Sequence, residues 1–298
     1  MAQAGVASGS RLTGLHQQAE ALADRLPPLL VAAERVAATI AQGVHGRRRV
    51  GTGETFWQFR PYQPGDATAR IDWRQSARSS QLFLRDQEWE AAESVWLWAD
   101  TSGSMAYSST PRLPSKEDRA LLLLLALASL LTRAGERIAL LGDQRRPIGG
   151  RAAVASLCDR MSAHPTASVV PIQPLPRYAR LVLISDFFVP LEDLRERLRK
   201  FVAMGIRGHL LQVLDPAEPV LPFGGRVRFE GLENDGAALI GNVESVRVRY
   251  RDRIEAHRQG LRELARSLGW TFAGHVTDHP PEPPLLALYN ALSTKVQG

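Results

Sequence analysis

From Ser94 onward the sequence predicts an α/β fold, a doubly wound, mainly parallel sheet flanked by helices. Two observations carry that prediction. Short apolar runs alternate with helix-length segments, and all but one of the runs are followed by a loop opening on Asp, Gly or Pro. The expected strands are Ser94–Ala99, Arg137–Gly142, Ala179–Ser185, His209–Leu214 and Thr271–Val276, with helices at Glu117–Arg133, Arg151–Met161, Leu191–Met204 and Val246–Leu268. Residues Val220–Gly241 leave the alternation and are read as a short antiparallel pair or a structured loop.

Ahead of the sheet the texture differs. Apolar residues recur at helical spacing over Leu15–Ala41, and Pro27 and Pro28 divide that stretch into two helical pieces. Gly51–Glu90 is rich in aromatics, charges and turn residues. Within it "TFWQFR" and "QLFLRDQE" read as strands or extended arms, with a turn at Pro64-Gly65-Asp66. The expected organisation is an N-terminal helical segment (1–45), a strand- and turn-rich region (46–92) and the α/β domain (93–298), with no long linker between them.

Composition narrows the function classes. With 298 residues, 44% of them apolar, the chain has enough material for a large core. Its longest apolar run, Ala120–Leu131, is shorter than the roughly 20 residues a membrane span needs and is flanked by Arg119 and Arg133, so it reads as a core helix. The start "MAQAGVASGSRLTGLHQQ" has no apolar stretch behind a basic one, and a cytoplasmic protein is expected. A lone Cys158 excludes an internal disulfide framework and a multi-cysteine zinc site; it reads as a packing residue. A net charge of +6 permits an acidic partner. The run "HGRRRV", His45–Val50, lacks interleaved aromatics and reads as solvated arginines at a helix end, so no specific nucleic-acid binding is expected.

The chemistry lies in "WADTSGSM". Asp100 ends the first strand of the sheet, and Ser102 and Ser104 follow at alternate positions on a loop that Gly103 allows to turn tightly. Asp186, in "LISDFF", ends another strand in the same way. Ligands of open parallel sheets bind beyond the carboxyl ends of the strands, so these four side chains converge if the two strands are neighbours. Hydroxyls and carboxylates without nearby His or Cys suit Mg2+ or Mn2+, with Ca2+ also compatible. Plain helix capping or a polar turn would use the same residue types.

These residues resemble a known pattern. "DTSGSM" is similar to the Asp-x-Ser-x-Ser signature of the von Willebrand factor A fold, whose metal-ion-dependent adhesion site binds magnesium or manganese. Upstream, "FRPYQPGDATARIDWRQSAR" resembles the hallmark of the domain of unknown function 58 family, carried here by Arg60, Tyr62, Gly65, Asp66, Arg70, Ile71, Asp72, Trp73, Ser76, Ala77 and Arg78. The resemblance covers Val50 to about Leu292. It implies a von Willebrand A-like domain with a site at Asp100, Ser102, Ser104 and Asp186. It also implies a partnership with a MoxR-type AAA+ ATPase, as a non-enzymatic adaptor or co-chaperone for a client protein. Two departures stand out: Gly142–Leu157 lacks the threonine that completes the usual site, for which Asp143 or a water is a substitute, and Phe187 stands where glycine usually follows the third-loop aspartate.

Other readings stay open. The Arg60–Arg78 block serves either as an arm fixed by arginine–carboxylate pairs with Tyr62 and Trp73 packed on the sheet, or as a docking surface for the ATPase. His209 and His275 are expected as satisfied core or edge residues of strands, and His257 on a solvated helix face. Beside the cation-bridged adaptor stand a metal-independent partner with a degenerate site and a phosphoester-processing enzyme using Asp100 as nucleophile. The last lacks a second acid two residues on, where Ser102 stands.

Overall fold

The computed structural model describes residues 2–25, 50–51, 55–61, 73–77, 81–88, 94–150, 152–163, 169–177, 179–232 and 236–293. Two compact units emerge: Pro28–Ala92, and a larger one formed by Met1–Pro27 together with Glu93–Gly298.

Helix α1 (Ala2–Arg25) opens the larger unit and buries Leu12, Leu15, Ala19, Leu22 and Ala23. It starts well before Leu15, where helical spacing first becomes visible, because the small residues of "AGVASGS" carry no apolar stripe. The second helical piece and the Pro64–Asp66 turn lie outside the described residues, as does all of "HGRRRV" before Val50.

In the smaller unit, β1 (Val50–Gly51), β2 (Thr55–Pro61) and β3 (Phe83–Glu88) form an antiparallel sheet with β3 in the centre, so both runs read as strands do pair. The β2–β3 register shifts between Phe56 and Gln58, the mark of a bulge. The single-turn helix α2 (Trp73–Ser76) precedes β3. A single turn buries little of itself: Ser76 points inward and accepts the Phe83 N–H at 2.9 Å, while Trp73 is 66% exposed.

The larger unit continues as β4 (Ser94–Ala99), α3 (Lys116–Arg133), β5 (Arg137–Leu140), α4 (Ala153–Ala163), β6 (Arg180–Ser185), α5 (Leu191–Ala203), β7 (Arg207–Leu214), α6 (Ala217–Val220), β8 (Val227–Glu230), β9 (Ala237–Ile240), α7 (Val243–Ser267), β10 (Thr271–Val276) and α8 (Glu282–Ser293). Five strands form one parallel sheet in the order β10-β7-β6-β4-β5. The first of them, β4, lies inside the sheet, and the chain reverses its direction of travel between β4 and β6.

Alternation along each strand feeds two cores. Val95, Leu97 and Ala99 face the core containing residues of α1, α3, α4 and α8, whereas Trp96 and Trp98 face that of α5 and α7. The expected doubly wound α/β architecture is thus present. Helix α3 is apolar almost all round because α1 packs on it as well as the sheet. Arg11 pairs with Glu117 (2.9 Å) and Asp118 (2.7 Å) near one end of α3, and Arg133 pairs with Glu20 and Asp24 at the other. Ser115 caps α3 by accepting the Asp118 N–H at 3.0 Å.

Strands β8 and β9 pair antiparallel, resolving the ambiguity of Val220–Gly241. Helix α8 is not among the expected helices, and its sequence contains Pro283 and Pro284. They sit in its first turn, where a missing N–H breaks no intrahelical bond. Gly208 on β7 provides the close approach that Trp270 needs: a Cβ there would lie 2.2 Å from the indole ring. Among the described residues no helix is long and apolar enough to cross a membrane.

Candidate functional site

The two aspartates meet because β4 and β6 are neighbours. The ladder runs on past the strand, with the Asp100 N–H donating to the Ile184 carbonyl at 2.9 Å, so Asp100 and Asp186 leave the sheet side by side at the switch point. Asp100 Oδ1 accepts the Ser102 N–H at 2.8 Å and its Oδ2 accepts the Ser185 hydroxyl at 2.7 Å. Ser104 donates to Asp186 Oδ2 at 2.8 Å, and the Ser102 and Ser104 hydroxyl oxygens are 3.1 Å apart. All four residues named from the sequence therefore converge. Both carboxylates are buried, at 4% exposure for Asp100 and 2% for Asp186, while Ser102 and Ser104 are half-buried. Burial lifts the Asp100 carboxyl above its ordinary value; the bonds from Ser185 and Ser102 oppose the rise, and the Asp186 charge adds to it.

Neither aspartate caps a following helix. Ser115 caps α3, and α5 begins behind Pro190 without a side-chain cap. Asp186 Oδ1 instead accepts the Phe188 N–H at 3.1 Å.

The sequence reading missed the cation at the centre of this cluster. Lys116, the first residue of α3, is 1% exposed and places Nζ 2.8 Å from Asp186 Oδ2, with Glu218 Oε1 as its second partner. Burial pulls the ammonium down, but Asp186 and Glu218 outweigh it and hold the group above its ordinary value. Glu218 is raised by burial, with Lys116 opposing. Asp215, at the end of β7, donates its N–H to Glu218 Oε2 at 2.8 Å, and its carboxylate accepts the Ser109 and Ala217 N–H groups at 2.8 Å each. Tyr250 packs nearby, its phenol pushed up to about 12 by burial and then by Glu218 and Tyr107. Two signals were available: Asp215 ends an apolar strand as Asp100 and Asp186 do, and a lysine in the first turn of a helix opposes the helix dipole unless it has acidic neighbours.

Phe187 has φ +52°, the left-handed region where glycine is at ease. Its ring is buried, its N–H donates to Ser185 Oγ at 2.9 Å, and its carbonyl lies 2.8 Å from His257 Nε2. The departure from glycine thus costs strain that burial of the ring offsets. Phe187→Gly is expected to cost about 1 kcal/mol less than Phe187→Ala in urea unfolding, reversing the usual alanine-over-glycine order. If glycine proves the worse replacement, the backbone strain at this position is negligible.

Asp143 is buried just beyond β5, but its carboxylate is engaged by Arg160 at 3.4 Å and by the Arg145 N–H at 3.0 Å. Arg60 lies on β2 opposite Leu84, and Trp73 is exposed. Tyr62, Gly65, Asp66, Arg70, Asp72 and Arg78 lie outside the described residues. His209 is buried with Nδ1 2.7 Å from Thr271 Oγ1, and His275 is buried as well. His257 was expected to be solvated; it is half-buried because α7 leans on the loop after β6. Cys158 is buried and its thiol is pushed up to about 11 by burial, as suits a packing residue.

A divalent ion can be tested against this donor set. Two hydroxyls and two carboxylates are hard ligands of the right kind. Every carboxylate oxygen already accepts a protein donor, however, and Asp186 Oδ2 accepts two, one of them an ammonium. Among the described residues no group of three or more His, Cys, Asp or Glu side chains is arranged to hold a metal. The residues present match a lysine counter-ion better than an added dication.

The chain is 28% identical over 238 residues to uncharacterized proteins of Mycobacterium bovis and Mycobacterium tuberculosis, covering 74% of this chain and 73% of theirs. Among solved structures, it is similar to a conserved hypothetical protein, BatB, from Bacteroides thetaiotaomicron (14% identity, TM-score 0.36, 67% of this chain and 97% of that one). It is also similar to an aerotolerance-related membrane protein from Bacteroides fragilis (15% identity, TM-score 0.36, 67% and 98%). The family model described as protein of unknown function DUF58 matches residues 58–260, most of the larger unit's sheet together with the Arg60–Arg78 block, and the chain belongs to that family.

Proposed function

We propose that the chain is a non-enzymatic protein-binding adaptor or co-chaperone, resembling von Willebrand A proteins, that presents the carboxyl-end face of its sheet to a MoxR-type AAA+ ATPase and a client protein. The observation that carries this is the convergence of Asp100, Ser102, Ser104 and Asp186 at the switch point. Ser102 and Ser104 are half-buried there, and Phe188 and Val189 are exposed on the adjoining loop. Hydroxyls beside exposed apolar side chains offer a partner both hydrogen bonds and buried area. Exposed Trp73 on the smaller unit is a second candidate contact. A cytoplasmic location belongs to the same proposal.

An enzymatic role has less support. As a nucleophile Asp100 would need an accessible oxygen, yet it is buried and both of its oxygens accept hydrogen bonds. Burial also keeps His209 and His275 neutral, each lowered to about 4, and holds the Cys158 thiol protonated. Within the adaptor class two modes compete. Four converging oxygen-bearing side chains favour a bridging Mg2+, Mn2+ or Ca2+ completed by a partner carboxylate, whereas Lys116 favours a metal-free contact.

The test uses the purified full chain and a MoxR-type ATPase from the same genome, with complex formation followed by biolayer interferometry in ATP. A complex is expected, weakened at least about tenfold by Ser102→Ala/Ser104→Ala/Phe188→Ser. No complex with the parent would sink the adaptor role, and a complex indifferent to the triple variant would remove the strand-end face from it.

A further inference from the structure

We infer that Lys116 supplies the positive charge of the strand-end site from within the chain, so that the cluster takes no divalent ion and meets its partner without metal. This rests on the binding face proposed above and states how that face is charged.

Part of what holds the lysine lies outside the Asp-x-Ser-x-Ser loop. Of its two carboxylate partners, Asp186 belongs to the predicted cation set, but Glu218 comes from α6 and is itself fixed by the Asp215 N–H. The Phe188 ring covers the ammonium at 5.2 Å. A lysine at 1% exposure has given up its hydration and its side-chain freedom, and the two ion pairs together with the Phe188 ring offset those costs. Its place is therefore a fixed part of the fold.

The acceptors around it are occupied. Lys116 and Ser104 both donate to Asp186 Oδ2, and Phe188 donates to Oδ1. Asp100 is bonded by Ser102 and Ser185, and Asp215 by Ser109 and Ala217. A dication on Asp186 or Ser104 would stand within a few ångströms of the ammonium in a poorly hydrated site, where like charges repel strongly. Gly142–Leu157 adds no threonine, and Asp143 is committed to Arg160. The partner is then recognised by the Ser102 and Ser104 hydroxyls and the exposed Phe188 edge, a hydrogen-bonding and apolar surface rather than a metal-bridged carboxylate.

Mn2+ binding to the EDTA-treated full chain, followed by electron paramagnetic resonance of free Mn2+ and by calorimetry, decides the matter. The variants are Lys116→Met and Lys116→Met/Glu218→Gln; the second leaves fewer buried charges unpaired and serves if the first does not fold. The parent is expected to show no saturable binding at millimolar Mn2+. Removing the lysine is expected to create a site at least about tenfold tighter than any parent signal, abolished again by adding Asp186→Asn. Saturable binding by the parent that disappears in Ser102→Ala/Ser104→Ala would overturn the inference. So would failure of both lysine variants to gain a site, because something other than Lys116 would then be excluding the ion. No ATPase is present in this experiment, so its outcome is separate from that of the partner-binding test.

Discussion

Lys116→Met is expected to lower the unfolding free energy by about 3–5 kcal/mol, the loss typical of breaking a buried ion pair from one side. The magnitude comes from what stays behind. Methionine has nearly the length of lysine and fills its channel, so little packing is lost, but buried Asp186 and half-buried Glu218 are left with no counter-charge. Ser104 and the Phe188 N–H still serve Asp186, yet neither carries a charge. Adding Glu218→Gln removes one of the stranded charges while keeping an acceptor for the Asp215 N–H, so the double variant is expected to recover part of the loss. Urea unfolding of the two single variants and the double variant forms a thermodynamic cycle, and strong coupling between positions 116 and 218 is the expected result. A loss below about 1 kcal/mol in Lys116→Met would place the pair in the class of solvated surface bridges and contradict its burial.

Acidification is expected to destabilise the fold through two histidines. Burial, then the charge of Arg180, lowers His209 to about 4; burial, then Arg119 and His279, lowers His275 to about 4. In the unfolded chain both return to about 6.5, so between pH 6.5 and 4 the unfolded state binds more protons than the folded one. The stabilising contribution is therefore complete above pH 6.5 and is lost as pH falls through the folded values. Each histidine is expected to remove about 2 kcal/mol between pH 6.5 and 5. Carboxylates titrate in the lower part of the same range, and subtracting the pH curve of a His209→Gln or His275→Gln variant from that of the parent removes their share. Parallel curves for parent and variants would mean that water reaches the rings.

The sheet was legible because each strand is a short apolar run closed by a turn residue, and burial on both faces leaves few other places for "SVWLWA" or "RLVLIS" to go. Asp100, Ser102, Ser104 and Asp186 were legible for a related reason: they follow directly on strand ends, and parallel strands deliver their ends to one edge. Strand order was not legible. The meeting of Asp100 with Asp186 waited on β4 and β6 being neighbours, and the position of Lys116 waited on α3 starting where β6 and β7 end. Taken alone, a lysine in "SKED" looks like any surface charge, and Glu218 in "DPAE" like the opening of a helix. Phe187 shows the same limit, since its left-handed backbone is a property of the finished loop that no propensity for phenylalanine reveals.

Helix α1 has a consequence for synthesis. Its apolar side rests on α3, yet the residues that follow it in the chain form a separate unit, and α3 ends only at Arg133. A ribosome adding roughly 5–20 residues per second delivers α3 on the order of ten seconds after α1 has been made. During that interval Leu12, Leu15, Leu22 and their neighbours have no native surface to cover them. The nascent chain thus carries an uncovered apolar helix while the 28–92 unit is being made behind it, the kind of segment that holding chaperones bind. Fusing α1 instead behind α8, so that it emerges after its partner, should shorten that exposure and raise soluble yield when chaperones are limiting.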